Sequence, residues 1–164
     1  MSELGIPADY GTSRGLALQS EAAELESIGA NPDGRDILLA PSAAAAWVRM
    51  RDAATASGVR LVAISGFRSV ERQAEIIRGK LAAGETIDAI LRTMAAPRYS
   101  EHHTGRAIDI GAPDVAPLTE DFERTPAFRW LQAHAGRHGF RLSYPRGNAH
   151  GIAYEPWHWC FRPP

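Results

Sequence analysis

Apolar residues recur along the chain at spacings that predict a mixture of helices and short strands. The alanine-rich segment that follows Pro41 predicts a helix that is capped by Ser42 and stops at Gly58. The apolar, β-branched run over residues 59–64 predicts a strand. We therefore expect a helix followed directly by a strand in the first half of the chain.

Further helices are predicted from capping residues and from the residues that break a helix. Ser69 and Thr125 both stand where a side-chain oxygen can cap a helix, and Thr125 is followed by Pro126 at the first helical position. Proline or glycine closes each predicted helix. The predicted extents are residues 70–81, residues 86–94 and the stretch from Thr125 to Gly139.

The second half of the chain also contains strand-like segments. Residues 107–110 alternate apolar and polar side chains, so Asp109 is expected to face away from Ile108 and Ile110. Residues 140–144 and the aromatic stretch 154–161 are also strand-like, and residues 114–124 are predicted to form a loop. Because helices and strands mix without regular βαβ alternation, the pattern indicates an α+β fold in a small single domain.

The first 40 residues are rich in Gly, Pro, Asp and Ser and show little periodicity. We expect an irregular N-terminal arm packed on the domain, with one helical turn around residues 20–28. The predicted division is residues 1–40 for the arm and residues 41–164 for the domain.

The composition of the chain limits the classes of function that it is expected to have. The 164 residues carry a formal net charge of −1, which does not favour nucleic acid as a partner. The single cysteine, Cys160, excludes an intramolecular disulfide. The N-terminus lacks the features of a signal peptide, and no apolar run is long enough to span a membrane. We therefore expect a cytoplasmic protein, or a periplasmic or exported one if a leader was removed or another route is used; no oligomeric state is predicted.

Two segments, residues 100–109 and 155–159, combine histidines with carboxylates. A catalytic zinc site takes three nitrogen or oxygen ligands and keeps one position for water, while a carboxylate outside the ligand set serves as general base. His102, Asp109 and His158 suit the ligand roles, and Glu155 suits the role of the base. The same spacing also fits loop histidines, a turn aspartate and a packed histidine, so by itself it leaves both interpretations open.

Local geometry sets two conditions on such a site. Adjacent residues of an extended segment point to opposite sides, so only one of His102 and His103 is expected to face a metal. Glu155 and His158 would face opposite ways in a regular strand. Since Pro156 cannot donate to a ladder, we expect an irregularity at this point that brings both side chains together. In a regular strand Cys160 lies on the same face as His158. We expect Cys160 to be a small buried residue, and the alternative is a thiolate that binds the metal.

The pattern Ser-x-His-x-x-x-x-x-x-Asp followed by Glu-Pro-Trp-His resembles the VanY-type D-alanyl-D-alanine carboxypeptidases. These enzymes group with the D,D-dipeptidases and L,D-carboxypeptidases of peptidoglycan. The similarity begins near residues 65–69, includes residues 139–145 and ends at residues 154–159. The resemblance implies a Hedgehog/DD-peptidase fold, in which helices flank a central antiparallel sheet that holds one zinc ion.

The resemblance also implies roles for single residues. His102, Asp109 and His158 would bind zinc, Glu155 would be the catalytic base, and Arg68 would bind substrate or stabilise the transition state. The resemblance also assigns Gln73 to substrate binding. Beside it, Ser100 is expected to contact substrate or orient the ligand loop, with a cap or turn hydroxyl as the alternative, and Tyr144 and Trp157 are expected to line the cleft, with a place in the core as the alternative. The implied substrate is a peptidoglycan stem peptide or a fragment such as D-Ala-D-Ala.

Other functions remain open within and beside this family. The chain could act as a D,D-dipeptidase, an L,D-carboxypeptidase or an endopeptidase of the lysin type. A non-catalytic zinc-binding interaction module, as in the Hedgehog signalling domain, is a further alternative. The presence of both Glu155 and Arg68 favours an enzyme, because a binding module needs neither residue.

Overall fold

Two antiparallel sheets organise residues 2–162, which are the residues that the computed structural model describes. The α-helices are α1 (Tyr10–Ser13), α2 (Pro41–Ala56), α3 (Val70–Ala82), α4 (Ile87–Thr93) and α5 (Pro126–His134). The strands are β1 (Glu26–Ala30), β2 (Asp36–Leu39), β3 (Val62–Ser65), β4 (Ala107–Gly111), β5 (Phe140–Leu142) and β6 (His158–Phe161). Short 3₁₀ turns cover Ser2–Leu4, Glu101–Thr104, Glu120–Arg124 and Ala135–His138.

The larger sheet has the strand order β3-β4-β6-β5, with all neighbours antiparallel. Alternation along β4 and β6 separates the two faces of this sheet. Ile108 on β4 and Trp159 on β6 belong to the main apolar core, together with buried residues of α2 and α5. Asp109 and His158 are buried on the opposite face. The predicted α+β class and the orientation of Asp109 are confirmed, and the sheet presents its polar residues away from the core.

Two of the three predicted helix caps are present in the structure. The Ser69 side chain accepts a hydrogen bond from Arg72 N, and the Thr125 side chain accepts one from Phe128 N. The predicted cap at Ser42 is wrong. Ala40 stands at the N-cap of α2 without a side-chain hydrogen bond, since Pro41 occupies the first helical position, where its fixed φ and missing N–H are tolerated.

The N-terminal segment is more ordered than predicted. Strands β1 and β2 form a hairpin, and no helix lies over residues 20–28, so the expected helical turn there is wrong. The turn between the strands is built by Asn31, whose Oδ1 accepts hydrogen bonds from the backbone N–H groups of Asp33 and Arg35. Four of the five residues of β1 are exposed, so its sequence lacks the alternation that predicts a strand.

The residues before this hairpin pack on α3 and α4. Leu4, Ile6 and Tyr10 join a second apolar cluster with Ile77 and Ile90. The hydroxyl of the buried Tyr10 accepts a hydrogen bond from the backbone N–H of Ala96 at 3.2 Å. The N-terminal segment thereby supports the loop that leads into residues 100–109.

Several predicted boundaries move by a few residues. The strand predicted over residues 59–64 is Val62–Ser65, and the segment 140–144 pairs only as far as Leu142. The loop predicted over residues 114–124 contains the 3₁₀ turn Glu120–Arg124. Within residues 2–162 no helix combines the length and hydropathy needed to cross a bilayer.

Candidate metal centre

Three buried side chains converge on the polar face of the larger sheet. Asp109 on β4 and His158 on β6 are cross-strand partners, and Asp109 Oδ1 lies 3.2 Å from His158 Nδ1. His102 reaches the same point from the Glu101–Thr104 turn, with its Nε2 3.4 Å from Asp109 Oδ2. One ligating atom from each of the three residues lies within 4.8 Å of the other two. The structure thus brings together the three predicted ligands.

The position of His102 is set by a capped 3₁₀ turn. Ser100 Oγ accepts a hydrogen bond from His102 N, and Gly105 ends the turn with a left-handed φ of 64°. His102 Nδ1 donates to the carbonyl oxygen of Gly66 at 2.6 Å. Because this bond places the ring proton on Nδ1, the lone pair of Nε2 is directed towards Asp109 and His158.

An unpartnered oxygen supports a metal as the missing member of this group. Within residues 2–162, Asp109 Oδ1 is fully buried and has no hydrogen bond, although His158 Nδ1 is close. Burial would raise the pKa of Asp109, but the neighbouring His102 and His158 outweigh it and hold the pKa well below its usual range. Two imidazole nitrogens and one ionised carboxylate form a donor set that suits zinc or another divalent transition metal.

Glu155 stands beside the three predicted ligands without belonging to their group. The chain turns at residues 156–157 before β6 begins, and His158 N donates to Glu155 O at 3.2 Å. The expected irregularity at Pro156 is therefore present, and it places Glu155 Oε2 3.7 Å from His158 Nδ1. Burial raises the pKa of Glu155 to about 7, against the partly compensating charge of His158. A carboxyl group with this pKa can exchange protons near neutral pH.

The other ring nitrogen of His158 has a partner that the sequence did not predict. His158 Nε2 donates to Glu101 Oε2 at 3.0 Å. Burial would lower the pKa of His158, but the neighbouring carboxylates of Asp109 and Glu101 outweigh it and raise the pKa to about 10 in the metal-free chain. Glu101 lies within the motif segment 100–109, but its contact with a strand 57 residues away leaves no signal in the local spacing.

Arg68 is held at the edge of the cleft by two side chains. Its Nη1 donates to Gln73 Oε1 at 2.9 Å, and Gln73 Nε2 donates to the carbonyl oxygen of Ala95. His103 Nδ1 donates to the carbonyl oxygen of Arg68 at 2.6 Å, and His103 Nε2 accepts from Arg98 N. His103 is thus directed to the backbone and not to the His102 cluster. Gln73 is fully buried, so its contact with Arg68 is the feature that links it to the cleft.

The predicted substrate residues line one cleft of about 350 Å³ beside the three ligands. Ser100 and Tyr144 are buried in its wall, and Trp157 is half-buried. Burial is the main cause that raises the pKa of the Tyr144 phenol far above its usual value. The wall also includes five residues that were not predicted: Lys80, Thr93, Met94, Ala95 and Leu118. Lys80 follows Gln73 by seven residues on α3, a spacing that places both on the same helix face.

Cys160 is not part of the ligand cluster within the described residues. Its thiol is buried, and burial raises its pKa to about 12, which disfavours the thiolate form that binds metals. The expectation of a small buried residue agrees with this environment.

A family model and several known proteins match this chain. The family model VanY, described as D-alanyl-D-alanine carboxypeptidase, matches residues 36–164. The chain is 33% identical over 120 residues to a D-alanyl-D-alanine carboxypeptidase of Enterococcus faecalis (strain ATCC 700802 / V583). That match covers 67% of this chain and 43% of the relative, so the chain spans less than half of the relative's length.

Solved structures share the fold. The LdcB LD-carboxypeptidase superposes with a TM-score of 0.77 at 31% identity, over 87% of this chain and 70% of that chain. A vancomycin-resistance D,D-pentapeptidase VanY solved in complex with Zn(II) superposes with a TM-score of 0.66 at 29% identity, over 87% and 80% of the two chains. The predicted Hedgehog/DD-peptidase type of fold is thereby confirmed. Since the family model covers most of the chain, this protein belongs to the VanY family of D-alanyl-D-alanine carboxypeptidases.

Proposed function

We propose that this chain is a zinc-dependent peptidase domain that releases D-alanine from peptidoglycan stem peptides. Its metal ligands are His102, Asp109 and His158, and Glu155 is the general base. The observation that carries the proposal is the buried cluster of three ligating side chains with a fourth side chain, the carboxyl group of Glu155, outside the cluster at the wall of an open cleft. The D,D-pentapeptidase relative solved with Zn(II) supports the choice of metal and of substrate class.

Glu155 carries the proton transfers. His102, Asp109 and His158 would hold a zinc ion, which would supply Lewis-acid chemistry and make the attacking water more acidic. Glu155 accepts the proton of the attacking water and returns it to the amine of the departing D-amino acid. Its carboxylate lies at the wall of the cleft, with Oε2 3.7 Å from the proposed ligand His158, which places it beside the metal for both transfers.

Arg68 supplies the positive charge on the substrate side of the cleft. A guanidinium pairs with an oxyanion or with a terminal carboxylate through parallel N–H donors. Gln73 holds one of its nitrogens, so the remaining donors can be directed to the substrate. Ser100, Tyr144 and Trp157 are proposed to contact the peptide from the surrounding wall.

Release of D-alanine from three synthetic peptides tests the proposal. The peptides are free D-Ala-D-Ala, a pentapeptide stem that ends in D-Ala-D-Ala and a tetrapeptide stem that ends in a single D-Ala. We expect release from the pentapeptide that a chelator abolishes and added zinc restores. Preference for the dipeptide or for the tetrapeptide would instead assign a D,D-dipeptidase or an L,D-carboxypeptidase. The similarity to LdcB makes the tetrapeptide a necessary member of the set.

The variant Glu155→Gln separates an enzyme from a zinc-binding module. We expect zinc binding and fold to persist while kcat falls by about 10²–10⁴, the usual contribution of a general base. Glu71→Gln is a matched control, because Glu71 is exposed on α3 and its side chain pairs, among residues 2–162, only with Arg78. Full activity of Glu155→Gln would exclude Glu155 as the base. Absence of release from all three peptides by a zinc-loaded wild type would favour an endopeptidase or the binding module.

A further inference from the structure

The carboxylate of Glu101 lies on the far side of the His158 ring from the ligand cluster. Glu101 Oε2 accepts a hydrogen bond from His158 Nε2 at 3.0 Å. The opposite ring nitrogen, Nδ1, lies 3.2 Å from Asp109 Oδ1. The imidazole of His158 is thus held between two carboxylates, one within the ligand cluster and one outside it.

Glu101 is itself fixed by two donors. Ser143 Oγ donates to Oε2, and Arg162 Nη2 donates to Oε1 at 2.8 Å. The Glu101 side chain is only 13% exposed, and a carboxylate at such a site needs partners to stay ionised. These contacts keep Glu101 as an acceptor that is directed at His158 Nε2.

We infer that Glu101 is a positioning residue of the metal centre. By accepting the Nε2 proton, it leaves Nδ1, which faces Asp109, as the ring nitrogen that would release its proton and bind the metal. Histidine ligands of metals generally donate their second ring N–H to a carboxylate or carbonyl, which fixes the ring and increases its basicity as a ligand. The inference rests on the proposed function, because it concerns the ligand set that binds the metal.

The backbone gives Glu101 a second link to the same centre. Glu101 and His102 are consecutive residues of the Glu101–Thr104 turn, and Ser100 caps that turn. His102 enters the cluster directly, while Glu101 acts on a ligand that belongs to β6. The Glu101–Thr104 turn therefore provides one proposed ligand, His102, and orients another, His158.

Zinc affinity and the ring proton of His158 test this role together. Zinc binding is measured by competition with a chromophoric chelator for the wild type, Glu101→Ala, Glu101→Gln and the exposed control Glu71→Gln. The Nε2–H resonance of His158 is followed by proton NMR in the zinc-loaded proteins, because a hydrogen-bonded ring proton exchanges slowly with water. Glutamine is nearly isosteric with glutamate, so Glu101→Gln keeps the test decisive if Glu101→Ala does not fold.

We expect Glu101→Ala to bind zinc about 10- to 100-fold more weakly and to lose the protected resonance. Glu101→Gln should show a smaller loss, since its amide oxygen still accepts the bond without the charge. The inference is overturned if both variants bind zinc as the wild type does, or if affinity falls while the resonance stays unchanged. A wild type that binds no zinc would overturn the proposed function as well, so the two failures are distinguishable.

Discussion

Asp109 and His158 are direct partners in the register of β4 and β6, and both side chains leave the sheet on the face opposite the apolar core. Directly opposed residues of an antiparallel pair have Cβ atoms only about 4.5–5.5 Å apart. Ordinary strand pairing thus brings two of the three predicted ligands together. A shift of the register by one residue would turn one of them into the core.

We expect Asp109→Asn to lower zinc affinity more strongly than any change at Glu101. The substitution removes a direct anionic donor, whereas loss of an outer partner of a ligand costs about 10–100-fold. Zinc content after gel filtration, measured by atomic absorption, checks this expectation for Asp109→Asn beside Glu101→Ala. If Asp109→Asn retained stoichiometric zinc, Asp109 would not be a ligand.

Burial of Glu155 predicts a pH-dependent stability of the metal-free chain. Its pKa is about 7 in the folded chain against a reference of 4.5, so the folded chain keeps a proton that the unfolded chain releases between these values. Stability is therefore lost as the pH rises through this window, by up to roughly 3 kcal/mol. Glu155→Gln removes the ionisable group, and it should stabilise the chain more at pH 8 than at pH 5.

Urea unfolding of the metal-free wild type and of Glu155→Gln at both pH values measures this difference. Equal stability changes at pH 5 and pH 8 would show that the cleft does not raise the pKa of Glu155. A stabilised but inactive variant would mean that the general base is kept at a cost to the stability of the fold.

Gln73→Leu is expected to reduce kcat/KM without changing zinc affinity. The substitution removes the acceptor of Arg68 Nη1, and it leaves the metal ligands untouched. Loss of precise positioning of a catalytic group can cost about 10²-fold in rate. The comparison with Arg72→Met, an exposed residue of the same helix, controls for general effects on α3. Unchanged kcat/KM in Gln73→Leu would mean that Arg68 is positioned without Gln73.

The confirmed cap at Thr125 and the rejected cap at Ser42 give a test that is independent of the metal. Thr125 Oγ1 accepts from Phe128 N and donates to the carbonyl oxygen of Phe122, so Thr125→Ala should cost about 1–2 kcal/mol of unfolding free energy. Ser42→Ala should have little effect, because Ser42 is exposed and does not cap α2. Chemical denaturation of both variants measures the contrast. Equal losses of unfolding free energy in the two variants would show that Ser42 does cap α2.

The sequence predicts residues whose role follows from a motif. It does not predict residues whose role depends on contacts between segments that are far apart in the chain. The spacing of His102, Asp109 and His158 left two interpretations open, and the resemblance to VanY enzymes implied that the three share one metal site; the structure brings the three side chains together. Glu101 has no predictable role until the 3₁₀ turn brings it to β6. The β1–β2 hairpin escaped prediction because β1 is mostly exposed and therefore has no apolar alternation. A serine beside a proline can stand at the N-cap or inside the first helical turn. The sequence alone does not distinguish these positions, so the predicted cap at Ser42 is wrong.

His102 and His103 bind the segment of residues 66–68 at three points. His102 Nδ1 donates to Gly66 O, Arg68 N donates to His102 O, and His103 Nδ1 donates to Arg68 O. These bonds join the turn that carries the proposed ligand His102 to the loop that carries Arg68. A displacement of the Arg68 backbone would therefore also move the turn that holds His102.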